Sequence, residues 1–541
     1  MRQIHFERTP RGALRALVVA VSFGALSACD DLLEVDLPHL LTSDAIEAAG
    51  TAETQVNSAI ALFECAYSTF GNNALGHEDA MQSIAGVFGG GHIYDATANG
   101  GECGETSTDQ SWFDQLMGAR ALLTTAPGRL VPTGTGLGRG VYDRIQDEWS
   151  LGAPGERLSA IAALYVAATL THFGEFVCEG AIDGSDVLTP TDFLNLAETW
   201  VGTALGHIGT FGDFAMPFGI APSAQNMAIA MRARIRWANR DFAGAAADAT
   251  TVLNADPNFN AWVSRDAGEF RRNQIFHNAT DVGFSAMLGI NDWWNPAIRE
   301  PNPVTGQPWP TPIPFTGYIF LGVMPDGMTL EAGNLPVRWA EEQRDAAENP
   351  IPLGNGAVAD TRTQHIYKSI QGPGKHENPD RYNAEADPIP YMTWEELKLI
   401  QADNELQLGG AANLQNAIDL VNELRADKGL PQISGTYLAT LTDGANDAAE
   451  VRYMLLEERK REFFAEGARY YSTKIQNTDV LWFPRLQGTT PFQGYNLQGG
   501  VRQAFPDDEY EQNPFFVELG GLSARGTGCT SLFGSQAPVV D

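Results

Sequence analysis

Residues 223–257, SAQNMAIAMRARIRWANRDFAGAAADATTVLNADP, constrain the fold more than any other stretch. Alanines recur through both halves, so two helices formed here can approach with little side-chain bulk between their axes. A turn at Asn239–Asp241 separates the halves, and Pro257 terminates the second. A second stretch of the same build lies at 391–431, YMTWEELKLIQADNELQLGGAANLQNAIDLVNELRADKGLP, with Gly409-Gly410 between its helices and Pro431 at its end. The two pairs lie too far apart in the chain for a tandem solenoid. They are expected to stack in space with long insertions between them, in a mostly α fold.

Earlier segments agree with that class. Residues 50–68 carry apolar residues at helical spacing, and 141–173 form two further helical segments broken near Gly152–Gly155. Residues 86–104 are a glycine-rich loop. The insertion at 280–340 differs in composition. It holds Pro296, Pro301, Pro303, Pro308, Pro310, Pro312, Pro314, Pro325 and Pro336 together with Trp293, Trp294, Trp309 and Trp339. Long helices cannot form through that many prolines. Irregular stretches of this length inside a compact domain are usually functional.

The N-terminus reads as an export signal. Arg2, Arg8, Arg11 and Arg15, opposed only by Glu7, precede an apolar run of 13 residues from Ala16 to Ala28. A spanning helix needs about 20 residues. Leu26-Ser27-Ala28-Cys29 then places small residues directly before a cysteine, which resembles a bacterial lipobox. The expectation is a leader over 1–28, a lipidated tether over 29–48 that starts at Cys29, and a single domain over 49–541. Each buried acyl methylene adds about 0.8 kcal/mol of membrane affinity. Asp30 and Asp31 follow at once, so no basic patch assists the anchor.

Removing residues 1–28 shifts the formal net charge from -32 to -35. So acidic a surface disfavours nucleic acid and anionic lipid. Apolar content of 43% excludes global disorder. Beyond Cys29 there remain Cys65, Cys103, Cys178 and Cys529. An even number in an oxidising compartment favours disulfides, with three possible pairings. Free buried thiols and a metal site are the alternatives. No CxxC accompanies these cysteines, so a metal is not expected.

A family resemblance enters late in the chain. Residues 223–257 and 391–431 each resemble a tetratricopeptide unit. LEERKREFFAEGARYYSTK, residues 456–474, resembles the helix that marks the SusD/RagB family of surface lipoproteins. Glu458, Arg459, Arg461, Glu462, Glu466, Gly467 and Arg469 meet the family pattern; Ser472 and Thr473 replace its usual Asp-Leu. Asp360-Thr361-Arg362, residues 161–176 and the PDDEYEQNP run at 506–514 resemble other family segments, whereas the closing Q-N-P-G-Y is missing. The resemblance implies a tetratricopeptide-like scaffold and a nutrient receptor in the outer membrane, paired with a TonB-dependent, SusC-like transporter.

Glu458, Glu462, Glu466 and Arg469 are spaced by four, four and three, which places them on one face of a continuous helix. Carboxylates on adjacent turns sit about 6 Å apart, a spacing that a retaining glycoside hydrolase also needs. The neighbouring arginines oppose that reading, because they depress the pKa that an acid catalyst must have raised. The face is expected to be a structural ion-paired seam, and the chain not an enzyme. No cofactor is expected. His77-Glu78-Asp79, and His92 with Asp95, lack partners at helical spacing for a metal.

Aromatic residues are the better binding candidates, because sugars pack their C–H faces on rings and bond their hydroxyls to amides and carboxylates. Asn291, Asp292, Trp293 and Trp294 offer that mixture, and Trp309, Tyr318 and Tyr94 extend it. The expected function is capture of a nutrient, most simply an oligosaccharide, and its delivery to the transporter. The rival readings are an extracytoplasmic glycan hydrolase and a protein-interaction scaffold without a small ligand.

Overall fold

The computed structural model describes residues 48–78, 81–83, 117, 119–120, 140–182, 185–268, 271–279, 288–290, 335–336, 359–360, 362, 365–371, 374–379, 381–430, 432–433, 448–477, 502–503, 505 and 507–524. Helices dominate them. In chain order they begin with α1 (Ala52–His77), α2 (Val141–Asp147), α3 (Ala153–Phe176) and α4 (Pro190–Phe211). The two helix pairs expected from sequence follow as α5 (Ala224–Ala238) with α6 (Phe242–Ala255), and α8 (Trp394–Leu408) with α9 (Gly410–Asp427). Between those pairs lies the short α7 (Gln274–Ala279), and after them come α10 (Ala448–Glu462), α11 (Arg469–Gln476), α12 (Asp507–Gln512) and α13 (Pro514–Glu518).

Local chemistry sets the starts of these helices. The Ser223 hydroxyl accepts from the Asn226 amide at the start of α5, and the Asp241 carboxylate accepts from Gly244 at the start of α6. Thr189 and Asp192 form a reciprocal capping box on α4, with Pro190 in the first turn. Thr393 caps α8 by accepting from Glu396. Gly409 and Gly410, at φ 65° and 79°, make the tight reversal into α9.

The pairs stack as a series. Helix α3 packs on α4, α4 on α5, α5 on α6, and α6 directly on α8, which in turn meets α9 and α10. The helix pairs, remote in sequence, are therefore neighbours in space. Every residue of α3 from Leu158 to Phe176 is buried. A helix apolar or small on all sides must lie in a core, and α3 is that central rod. Helix α1 is longer than the 50–68 periodicity predicts, running on to His77.

Short strands connect the layers: β1 (Met81–Ser83), β2 (Asn260–Val263), β3 (Leu288–Ile290), β4 (Leu335–Pro336), β5 (Ala359–Asp360), β6 (His365–Gln371), β7 (Gly374–Pro379) and β8 (Ile389–Thr393). Strand β1 pairs antiparallel with β3, and β6 with β7; β4 and β5 run parallel. The informative pair is β2 with β8, antiparallel and bulged at Ala261/Trp262. The chain leaves the helical stack at β2 and returns to it at β8, so the excursion between them begins and ends on one rigid ladder. Residues 391–393, expected to open a helix, belong instead to β8, because their backbone groups pair with β2 before Thr393 caps α8.

Candidate functional site

The motif residues of the late segment do not lie on one continuous helix. Helix α10 stops at Glu462, and the turn through 463–468 holds Ala465 at φ 57° and Gly467 at φ 71° before α11 starts at Arg469. The expectation of one unbroken face from Glu458 to Arg469 is corrected here. Left-handed backbone at two positions cannot continue a right-handed helix. The turn is held by the Tyr382 hydroxyl, which donates to the Ala465 carbonyl at 2.8 Å. A side chain at position 467 would force Tyr67 to shift. A Cβ there would stand 2.7 Å from the Tyr67 hydroxyl oxygen.

Around this turn the carboxylates and guanidiniums pair in a buried seam. Arg362 donates to Glu458 at 2.7 Å and Glu462 at 3.3 Å, while Arg425 reaches the other Glu458 oxygen at 2.6 Å. Glu466 pairs with both Arg381 and Arg469. Arg469 also donates to the Thr393 hydroxyl at 2.7 Å, approaches Glu396 at 3.3 Å, and lies 4.1 Å from the centroid of the Phe463 ring. Arg459 binds Asp403 at 2.5 Å and stacks on Trp237, whose indole N–H donates to the same carboxylate at 2.7 Å. Arg461 pairs with Glu457 at 2.7 Å. Burial lowers the Lys460 ammonium to about 8.

A neighbouring cluster ties the seam to α3 and α5. Arg234 contacts Glu175 at 3.0 Å and Glu396 at 3.7 Å, and the Ser472 hydroxyl donates to Glu175 at 2.9 Å. Burial opposes the Arg234 charge, but Glu175 and Glu396 more than offset it and hold the guanidinium well above its ordinary value. Buried charges persist only when each has partners of this kind. The PDDEYEQNP segment docks at the far end of α3. There Phe505 packs against Gly180 and Phe173, Tyr510 donates to Glu179, and Asn513 donates to the Ser185 carbonyl at 3.3 Å.

Chemically the seam is a clamp. Glu458, Glu462 and Glu466 are all buried against guanidiniums, so none is presented to solvent for attack on a substrate. Glu78 accepts from the Tyr471 amide at 2.9 Å, a tie between α1 and α11. Among the described residues, no group of three or more His, Cys, Asp and Glu could hold a metal ion. No described helix is long and apolar enough to cross a membrane.

Cys65 and Cys178 are both disulfide-bonded. Cys29, Cys103, Cys529, Tyr94, Asn291, Asp292, Trp293, Trp294, Trp309 and Tyr318 lie outside the described residues.

Two surface features escaped the sequence reading. One is an open groove of ≈ 600 Å³ across α6, α8 and α9, floored by Ala243, Ala246 and Ala247 and walled by Asn404, Glu405 and Asp419. The other is the loop after α4, where Phe211 and Phe214 meet edge to face and Phe218 is 54% exposed. The phenylalanines in TFGDFAMPFG, set between glycines and a proline, were the available signal.

No family model matches the chain. A SusD-like protein of Formosa agariphila is 26% identical over 167 residues, which is 29% of this chain and 31% of that protein. The aligned part thus spans about a third of that curated relative. Crystal structures overlap it more broadly at low identity. A SusD-like carbohydrate binding protein of Bacteroides vulgatus has a TM-score of 0.47 at 13% identity, covering 79% of this chain and 83% of its own. A SusD superfamily protein of the same species has a TM-score of 0.47 at 13% identity, covering 86% and 97%. A SusD homologue of Bacteroides fragilis has a TM-score of 0.47 at 10% identity, covering 88% and 98%. In the late motif from Glu458 to Arg469 and in its likeness to the Formosa protein, the chain is similar to SusD-like proteins.

Proposed function

We propose that this protein is a lipoprotein of the outer membrane, facing the exterior and held by acyl chains on Cys29, that captures an oligosaccharide and passes it to a TonB-dependent, SusC-like transporter. It binds without chemistry, and the energy for uptake comes from the transporter's side. The observation that carries this reading is the β2–β8 ladder. It brings Asn260–Val263 and Ile389–Thr393, which bracket in sequence the stretch carrying Asn291, Asp292, Trp293, Trp294, Trp309 and Tyr318, together on the helical stack. Tyr94 in the glycine-rich loop adds a further ring to the candidate set.

Two measurements test the reading. Purification of the native complex from outer membrane should recover a large β-barrel with this protein. Oligosaccharide binding by the mature chain should fall in Trp293→Ala and Trp294→Ala. Hydrolysis products from a bound glycan would make the protein a hydrolase instead. Recovery of periplasmic proteins without any barrel would make it an interaction scaffold.

A further inference from the structure

The loop after α4 holds one side chain against its backbone preference. Phe218 sits at φ 59°, ψ 17°, inside a single 3-10 turn over Pro217–Gly219. A bulky residue rarely adopts left-handed backbone, and such strain persists where surrounding structure imposes it, most often at functional positions. Here the surroundings are firm. Met216 and Ile220 are buried on either side; the Met216 amide donates to Ala221 at 2.9 Å, and the Trp262 amide of β2 donates to Ile220 at 2.8 Å. The ring itself points outward, more than half exposed.

Beside it stands an oriented donor. The Arg271 guanidinium lies over one face of the Phe218 ring, 5.9 Å from its centroid, and leaves the other face open. Its Nε donates to Asp266 at 2.7 Å, and its Nη2 donates to the Ser264 hydroxyl at 2.7 Å and approaches Glu64 at 3.4 Å. Nη1 makes no hydrogen bond among the described residues. Asp266 is 55% exposed and is fixed in turn by the Gly268 amide at 2.8 Å. One cluster therefore presents an aromatic face, a free N–H pair and a carboxylate with spare lone pairs. None of them needs to reorganise.

We propose that Phe218, Arg271 and Asp266 form a second glycan contact on the helical scaffold, separate from the aromatic excursion. A pyranose would lay its C–H face on the Phe218 ring, accept from Arg271 Nη1 through one hydroxyl, and donate to Asp266 through another. The inference rests on the proposed glycan-binding function and adds a second point of attachment for a long chain. Two weak contacts on one polymer raise its overall affinity by effective concentration. A protein partner would prefer an apolar pocket for the ring and would have less use for the paired donor and acceptor.

The test uses the full mature chain on a printed array of plant, algal and microbial oligosaccharides, then titrates the strongest ligand by calorimetry. Phe218→Gly removes both the ring and the strain. It should weaken binding about three- to tenfold while the melting temperature holds or rises. Asp266→Asn should weaken binding in the same range, and it decides the matter should Phe218→Gly melt lower. Unchanged glycan affinity in both variants overturns the inference and leaves the general function standing, whether or not a co-purifying protein is lost. A wild-type chain that binds no glycan on the array overturns both.

Discussion

Gly467→Ala probes the turn on which the late motif depends. The backbone there has φ +71°, a region that costs an L-residue roughly 1 kcal/mol more than glycine. The added Cβ would meet Tyr67 at three atoms: Oη at 2.7 Å, Cε1 at 2.9 Å and Cζ at 3.0 Å. Tyr67 has little freedom to yield. It is 2% exposed, donates to the Pro390 carbonyl at 3.3 Å, and packs edge-on to Tyr391 with centroids 5.3 Å apart. Overpacking of this kind costs about 1–3 kcal/mol, so the expected total loss is about 2–4 kcal/mol. Urea unfolding followed by tryptophan fluorescence measures it, with an unchanged slope expected. Tyr67→Phe removes the nearest of the three atoms, so the double variant should lose about 1 kcal/mol less than the sum of the singles. A Gly467→Ala loss below about 0.5 kcal/mol, or strict additivity with Tyr67→Phe, would refute the steric account.

Other expectations follow from the same geometry. Glu458→Gln leaves the Arg362 and Arg425 guanidiniums buried opposite a neutral amide and should cost about 3–5 kcal/mol by urea unfolding; an unmoved midpoint would contradict the clamp. Burial lowers His172 to about 3, with the Arg234 charge adding to the effect. The unfolded chain therefore binds the proton first, so stability falls as pH drops below about 6.5, by about 2 kcal/mol at pH 5. His172→Phe should flatten that limb between pH 7 and 4, and an unaltered pH profile would assign the limb to other groups. Gly202→Ala, in mid-α4 with nothing within 4 Å of its Cβ position, should raise stability by about 0.5–1 kcal/mol in the same unfolding assay; a loss would mean that α4 carries an unseen contact.

The two helix pairs were legible in the sequence because their causes are local, although the start of the second was set by the β2–β8 ladder. Caps at Ser223, Asp241 and Thr393 act within a turn, and alanine spacing acts within a helix. The late motif was legible as a set of residues, yet its geometry was not. Spacing alone treats Glu458 to Arg469 as one helix, whereas packing against Tyr67 and Tyr382 forces a left-handed turn at Ala465 and Gly467. Phe218 was overlooked for a related reason. A lone phenylalanine in a loop carries no periodic signal, and only the fold brings Arg271 and Asp266 beside it.

By itself, then, the sequence determined the two main helix pairs, the acidic balance and the residues of the motif. Tertiary structure decided which remote partners meet: α6 on α8, β2 on β8, and Arg362 on Glu458 from 96 positions away. The division has a physical cause. Capping and periodicity depend on interactions within about four residues, and any chain with those residues will express them. A guanidinium's choice among many carboxylates depends on which of them is buried beside it, and burial exists only once the helices have stacked.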